Sequence, residues 1–285
     1  MPFVIPSVTL HQKIDMVYFP NAKINIGLQV TGKRADGFHE LISCFYPVPW
    51  IDIIEVIEEK TLRFSCSGLP IPGNVEDNLC LRAYALLNRD FKLPPVHIHL
   101  HKNIPIGAGL GGGSSDAAFT LKAINQVFQL NLDLDRLSHY AATLGSDCTF
   151  FILNQPAMAT GRGEALQPLH LDLSDKYIVM IFPNIHIGTA EAYGSLSPKP
   201  AAYRLQEVLE SMPLSHWKSR VSNDFEQALF TRYPTLRQCK DSLYGAGAEY
   251  TAMTGSGSTI YGIFDGKVKL EHLFPKDYTV WSGFL

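Results

Sequence analysis

From Val17 onward, apolar and polar positions alternate as they do in a half-buried strand. Val17-Tyr18-Phe19-Pro20 leads into Ile24-Asn25-Ile26-Gly27-Leu28-Gln29-Val30, where every second residue is apolar, and the turn residues Lys33-Arg34-Ala35-Asp36-Gly37 follow. Ile51 to Val56 and Leu62 to Cys66 read as two more strands. Beyond the turn-rich Pro70-Ile71-Pro72-Gly73-Asn74 the period lengthens. Leu79, Leu81, Ala83, Leu86 and Leu87, between Asn78 and Asn88, lie at roughly helical spacing. Val96 to Leu100 returns to the strand period. A glycine-rich turn and a helix come next, with Ser114-Ser115-Asp116 as capping residues and Ala117, Leu121, Ile124 and Phe128 apolar along the helix. A second helix, about Leu134 to Leu144, ends at Gly145, and Cys148 to Leu153 and Ala157 to Thr160 read as strands that close a first lobe.

Past Asp175 comes a hydrophobic strand, Tyr177 to Phe182, then helical runs around Tyr203 to Glu210, Phe225 to Phe230 and Leu236 to Tyr244. A second glycine-rich stretch, Met253-Thr254-Gly255-Ser256-Gly257-Ser258-Thr259, precedes the strand Ile260 to Phe264. Strands and helices mixed in both halves predict an α+β architecture in two lobes, residues 16–165 and 175–285. Met1 to Asp15 shows little periodicity, which an extension or an alternative start at Met16 explains equally well.

Composition narrows the class of partner. With 285 residues, 46% hydrophobic and 18% charged, the chain can bury one large core or two modest ones sharing an interface. The net charge of −3 lacks the basic excess that a nucleic-acid binder sets against a phosphate backbone. The five cysteines are odd in number and form no CxxC pair, which argues against a disulfide framework or a zinc ribbon and for the reducing cytosol. No apolar run approaches the roughly 18 residues of a membrane helix, so a cytoplasmic protein without a membrane partner is expected.

The chemistry concentrates in Pro105-Ile106-Gly107-Ala108-Gly109-Leu110-Gly111-Gly112-Gly113-Ser114-Ser115, which packs five glycines between a strand and a helix. Glycine lets backbone amides approach a polyanion without a Cβ in the way, and the helix N-terminus behind them offers unpaired N–H groups. Gly107, Gly109 and Gly112 also satisfy the GxGxxG spacing of dinucleotide folds. That fold, however, wants an acidic residue at the end of a second strand about 20 residues on, whereas Asp133 and Asp135 open a helix. A Walker A loop needs Gly-Lys-Ser/Thr, which does not occur.

In this form the loop resembles the central motif of the GHMP kinases, the family of galactokinase, homoserine kinase, mevalonate kinase and phosphomevalonate kinase. Ala22-Lys23-Ile24-Asn25-Ile26-Gly27-Leu28 is similar to the first motif of that family and Thr254-Gly255-Ser256-Gly257-Ser258 to its third, in the same order and spacing. The likeness runs from about Phe19 to the C-terminus. Within the family, Arg34-Ala35-Asp36-Gly37-Phe38-His39, Glu76-Asp77-Asn78-Leu79 and Gly145-Ser146-Asp147 most closely resemble members that phosphorylate a cytidine diphosphate-linked methylerythritol. Those members act in the non-mevalonate route to isoprenoid precursors.

The resemblance implies the two-lobed GHMP fold: an N-terminal lobe like ribosomal protein S5 domain 2, a ferredoxin-like C-terminal lobe, and ATP and substrate meeting between them. It implies transfer of phosphate from ATP to the 2-hydroxyl of the substrate, with Mg²⁺ bridging phosphate oxygens. Asp147 and Lys23 are then the catalytic pair, the carboxylate accepting the hydroxyl proton and the ammonium stabilising the developing alkoxide. His39 is expected to hydrogen-bond the pyrimidine edge, assisted by Asn25. Phe38 stands where many members carry tyrosine, so stacking is expected without a phenolic hydrogen bond. Tyr193 aligns with the aromatic residue that covers the other face of the base, an ordinary half-buried tyrosine being the competing reading.

By the same resemblance Asn78 lines the adenine pocket, and Gly255, Ser256 and Gly257 bring the second lobe close to the substrate phosphates or to the first lobe, unless they form a plain β-turn. Lys102 either reaches a nucleotide phosphate or ribose or is a solvated lysine at a strand end. Ser115 is a candidate Mg²⁺ ligand. Two other features are left as structural. Alternation in Val96-His97-Ile98-His99-Leu100-His101 puts three imidazoles on the polar side of an amphipathic strand, and Cys148 reads as a small core residue. The alternatives are another GHMP kinase, of the mevalonate or homoserine type, and a non-catalytic sensor on the same fold, against which Lys23, Asp147 and the loop argue. Oligomeric state is not legible.

Overall fold

The computed structural model describes residues 16–285, so the expectation for Met1 to Asp15 lies outside the described residues. Two four-stranded sheets and four helices build the first lobe. The chain runs β1 (Met16–Tyr18), β2 (Asn21–Lys33), β3 (His39–Ile51), β4 (Ile53–Glu58) and β5 (Arg63–Gly68), then α1 (Leu79–Phe91) and β6 (Val96–Lys102). Three helices follow, α2 (Gly112–Val127), α3 (Leu134–Leu144) and α4 (Cys148–Leu153), and then β7 (Ala157–Thr160) and β8 (Ala165–Pro168). Strand order is β1-β4-β6-β5 in one sheet and β2-β3-β7-β8 in the other. Because β8 pairs with β7, the first lobe's sheet continues past residue 165 to Pro168.

The second lobe comprises β9 (Tyr177–Phe182), α5 (Thr189–Gly194), α6 (Leu205–Ser211), α7 (Phe225–Arg232), α8 (Pro234–Gly245), β10 (Tyr250–Met253), β11 (Ile260–Phe264) and β12 (Thr279–Phe284). Its strands pair antiparallel in the order β10-β11-β9-β12. This is the ferredoxin-like arrangement, with the helix before the last strand reduced to a 3₁₀ turn at Glu271–Leu273.

Strand β9 shows why its sequence is apolar without alternation. Ile178 and Met180 enter one core together with Ile24, Ile26, Tyr46 and Trp50 of the first lobe. Val179 and Ile181 enter another, against Phe225, Leu229, Leu236 and Leu243 of the second lobe's own helices. A strand covered on both faces has no polar side to show. The lobes therefore share a core as well as a cleft. A third core packs α1, α2 and α4 on the β4-β6 sheet through Ile54, Val56, Ile98 and Leu100. The outward residues of β6 are the three histidines, which meet Ser65 and Ser67 of β5 at 2.7–3.0 Å.

Three local expectations are corrected. Residues 39–50, where the sequence pattern predicts no strand, form with Ile51 the strand β3, the full-length partner of β2, and the strand expected from Ile51 to Val56 is broken at Asp52. Residues 148–153, expected as a strand, form the helix α4, whose Phe150, Phe151 and Ile152 are buried. The helix after the glycine loop starts earlier than the serines: its N-cap is Gly111 with φ of 70°, and no side chain caps it. Ser114, Ser115 and Asp116 lie within α2, and its first backbone N–H groups have no side-chain acceptor.

Candidate active site

One hydroxyl joins the three glycine-bearing segments. Thr254, at the end of β10, accepts from the Asn25 backbone N–H of β2 at 3.0 Å and donates to the Gly109 carbonyl of the loop at 3.0 Å. Gly109 has φ of +80°, and a Cβ there would stand 2.2 Å from the Thr254 carbonyl oxygen. No side chain fits that approach. The loop is held further by the Lys23 backbone N–H donating to Leu110 O at 2.9 Å and the Thr259 N–H to Ala108 O at 3.2 Å. Behind the Gly255–Gly257 turn, the Asn223 side-chain amide donates to both Met253 O and Gly255 O at 2.8 and 2.9 Å.

Strand β2 aims Lys23 into the cleft, and the start of α4 presents Asp147. The structure brings the two together, Nζ to Oδ2 at 3.4 Å, the lysine side chain 5% exposed and the aspartate 32%. Lys23 Nζ also donates to Asn25 Oδ1 at 2.6 Å and sits 4.3 Å from the centroid of the Phe45 ring. Asn25 is fixed in turn by Ser43, whose Oγ takes its amide N–H at 2.8 Å and donates to Gly27 O at 2.6 Å. Asn25, expected to assist His39, lies beside Lys23 and lines a different cavity from His39. Its buried amide orients the ammonium toward the carboxylate.

The loop separates two cavities. One, of about 440 Å³, is lined by Asn74, Asn78, Leu79, Lys102, Pro105, Ile106, Gly107, Ala108, Gly109, Leu110, Gly111, Gly112, Gly113 and Ser114. The other, of about 470 Å³, contains Lys23, Asn25, Asp147, Arg162, Tyr193, Gly255, Ser256 and Gly257. Gly107, Gly109 and Gly111 belong to both walls. The first cavity has an apolar end at Phe64, Ile71 and Val75 and a polar end at the loop, as a nucleotide requires. Asn78 caps α1, its Oδ1 accepting from the Cys80 N–H at 2.9 Å. A larger cavity of about 900 Å³ behind α7 and α8 touches neither the loop nor the Lys23–Asp147 pair.

Lys102 is not solvated. Its Nζ is buried between Asp52 and Asp116, hydrogen-bonded to both, the second at 2.8 Å. Burial pulls its pKa down, but the two carboxylate charges outweigh burial and hold it above the ordinary lysine value. Asp52 also takes the Asn103 and Ile104 N–H groups at 2.6 and 2.9 Å, whereas Asp116 Oδ1 has no partner. Burial pushes the Asp116 carboxyl up, Lys102 opposing and Asp52 adding to the rise. A Cβ on Gly112 would come within 2.9 Å of Lys102 Nζ, so the ion cluster is the floor on which the loop rests. Ser115, the candidate metal ligand, is 0% exposed and absent from the cavity wall, its Oγ unpartnered. Among the described residues no group of three or more His, Cys, Asp or Glu side chains forms a metal site.

Next to the cavity that contains Lys23 and Asp147, and sharing Arg162, Thr189 and Tyr193 with it, lies a third of about 750 Å³, lined also by Phe38, His39 and Ser146. His39 and Tyr193 stack with ring centroids 4.7 Å apart, and Tyr193 meets Phe225 edge-on at 5.0 Å. Burial raises the Tyr193 phenol, and the Asp147 charge adds to the rise. Phe38 is 54% exposed, and the Arg162 guanidinium lies 4.8 Å from its ring centroid. His39 thus lies on one face of Tyr193, and Arg162 lies over one face of the largely exposed Phe38. Arg162 escaped the sequence reading: it sits in a Gly-Arg-Gly turn with no periodic signal, and strand pairing alone brings it to Phe38.

Residues 78–162 match the GHMP kinases N terminal domain, and residues 199–274 match the GHMP kinases C terminal domain. The chain belongs to the GHMP kinases. It is 48% identical over 258 residues to the 4-diphosphocytidyl-2-C-methyl-D-erythritol kinase of Cytophaga hutchinsonii, covering 90% of this chain and 95% of that protein. It is 43% identical over 272 residues to the enzyme of the same name from Parabacteroides distasonis, covering 95% of this chain and 100% of that protein. Among solved structures, that of a 4-(cytidine 5'-diphospho)-2C-methyl-D-erythritol kinase superposes with a TM-score of 0.76 at 33% identity, over 87% of this chain and 90% of the other. The Methanococcus jannaschii mevalonate kinase superposes at 0.70 with 14% identity, over 95% of this chain and 99% of the other, a likeness of fold.

Proposed function

We propose that this chain transfers the γ-phosphoryl group of ATP to the 2-hydroxyl of 4-diphosphocytidyl-2-C-methyl-D-erythritol, in the non-mevalonate synthesis of isoprenoid precursors in the cytoplasm. One observation carries the reading: a nucleotide-sized cavity and an acceptor cavity share Gly107, Gly109 and Gly111 as a common wall, and Lys23 and Asp147 face each other on the acceptor side. The names of relatives at 43–48% identity supply the substrate.

Phosphoryl transfer asks for in-line placement and charge neutralisation more than for covalent help from the protein. Asp147 accepts the proton of the acceptor hydroxyl as that oxygen attacks phosphorus. Lys23, oriented by Asn25, offsets the negative charge on the carboxylate and the developing alkoxide. Loop backbone amides and the uncapped start of α2 receive the phosphates. An Mg²⁺ would be carried in by the nucleotide: Asp116 on the cavity wall is committed to Lys102, and Ser114, which also lines that wall, would reach the metal only by giving up its side-chain hydrogen bond with Cys148. Bound there, the metal neutralises charge on the phosphate oxygens.

The test measures ADP release from Mg·ATP with this substrate beside mevalonate and homoserine. Turnover with the cytidine compound alone is expected. Turnover with mevalonate or homoserine alone would sink the substrate assignment while leaving the kinase chemistry standing.

A further inference from the structure

We propose that Arg162 binds the diphosphate of the acceptor substrate and so selects a nucleoside diphosphate ester over a neutral polyol, an inference that rests on the substrate reading above. That substrate carries its charge in the middle, with a base at one end and the reacting hydroxyl at the other. The cavities for the two ends share Arg162, Thr189 and Tyr193 as lining residues. Of the three, Arg162 alone is a cation. Lys23 lines only the inner cavity, and Lys33 only the outer one. A diphosphate spanning the junction passes the guanidinium, whose fork suits paired phosphate oxygens.

The turn that carries Arg162 is built to hold it there. Gly161 N–H donates to Glu40 Oε1 at 3.0 Å, and the Leu41 N–H donates to Gly161 O at 2.8 Å, which ties the turn to the strand beginning at His39. On its other side Gly163 lies against the reaction centre, where a Cβ would stand 3.6 Å from Asp147 Oδ1. The guanidinium is held loosely by comparison: Nε is 3.6 Å from Glu164 Oε1, and the rest lies on the Phe38 ring. Turning toward a diphosphate gives up the 3.6 Å contact with Glu164 and the cation–π contact with Phe38, and uncovers the Phe38 face for the base.

The experiment compares the wild type with Arg162→Gln and Arg162→Lys in steady-state kinetics, and titrates each by calorimetry with CDP and with cytidine. Arg162→Gln is expected to raise KM for the cytidine diphosphate substrate about 10- to 100-fold with kcat and KM for ATP within about threefold, the mark of lost ground-state binding. CDP binding should weaken by a similar factor and cytidine binding should not change. Arg162→Lys should fall between, because an ammonium keeps the charge without the fork. Unchanged KM and unchanged CDP affinity in a variant that melts like the wild type would overturn the proposal, as would equal weakening of CDP and cytidine. Should the wild type fail to phosphorylate the cytidine compound, the substrate reading falls, while the CDP and cytidine titrations still decide the role of Arg162.

Discussion

Replacing Lys102 by methionine keeps the length of the side chain and removes the cation shared by two buried carboxylates. Asp52 retains the Asn103 and Ile104 N–H groups, but Asp116 loses its ion pair and already has one oxygen without a partner. Breaking a buried pair from one side costs about 3–5 kcal/mol. The strain is relieved when Asp116 takes up a proton, since its carboxyl is raised by burial even with Lys102 present. In the unfolded chain that carboxyl stays ionised down to about pH 4, so over neutral to mildly acidic pH the folded variant binds the extra proton. Its stability therefore rises as pH falls, by about 1.4 kcal/mol per unit and up to about 2.7 kcal/mol between pH 7.5 and 5.5. Urea unfolding of wild type and variant at both pH values measures this directly. The double variant Lys102→Met with Asp116→Leu should regain most of the loss at pH 7.5. The wild type shares part of this pH dependence, since its Asp116 carboxyl is already raised to about 7; a single-variant loss below about 1 kcal/mol at pH 7.5, or a gain between pH 7.5 and 5.5 no larger than that of the wild type, would refute the account of a coupled ion cluster beneath the loop.

Asp147→Asn should lower kcat by about two orders of magnitude or more while ATP affinity stays within about threefold, and near-wild-type turnover would remove Asp147 from proton transfer. Gly109→Ala drives a Cβ into the Thr254 carbonyl at a left-handed φ; a drop in stability of about 3 kcal/mol or more is expected in thermal or urea melts, and a neutral effect would mean the loop yields there. Lys122, pushed down to about 8 by burial, should make the wild type gain stability as pH rises from about 8 toward 10.5, because the unfolded chain keeps its proton over that window. Lys122→Met, after losing the bond from Nζ to Phe151 O, should gain about 1–2 kcal/mol at pH 7 and lose that advantage by pH 10; a variant less stable than wild type at pH 7 contradicts this.

The site was legible where chemistry forces unusual sequence. Five glycines between a strand and a helix have few other uses, and the alternation of Val96, Ile98 and Leu100 told the core face of β6 from its histidine face. Strand β3 was illegible for a local reason. Pro47 and Pro49 break the ladder, and they are tolerated because β3 has a second neighbour, β7, only across Ser43–Phe45. In its proline-bearing half it is an edge. Residues 148–153 form a short apolar run that fits a strand or a buried helix equally, and packing against α2 and α3 decides for the helix. Lys102 reads as a strand-end lysine until Asp52, fifty residues earlier, is folded against it. The Arg162 position depends on strand pairing too, which no spacing along the chain records.

The Thr254 hydroxyl spans 229 residues to reach Asn25. During synthesis the loop and the Lys23–Asp147 pair emerge well before the strand that carries Thr254, so the site is completed only when nearly the whole chain has left the ribosome. The first lobe's β2 and β3 likewise wait for Tyr250 and Tyr261 to seal their shared core. A nascent or prematurely ended chain that stops short of β10 thus carries Lys23, Asp147 and the glycine loop without the contacts that set their geometry.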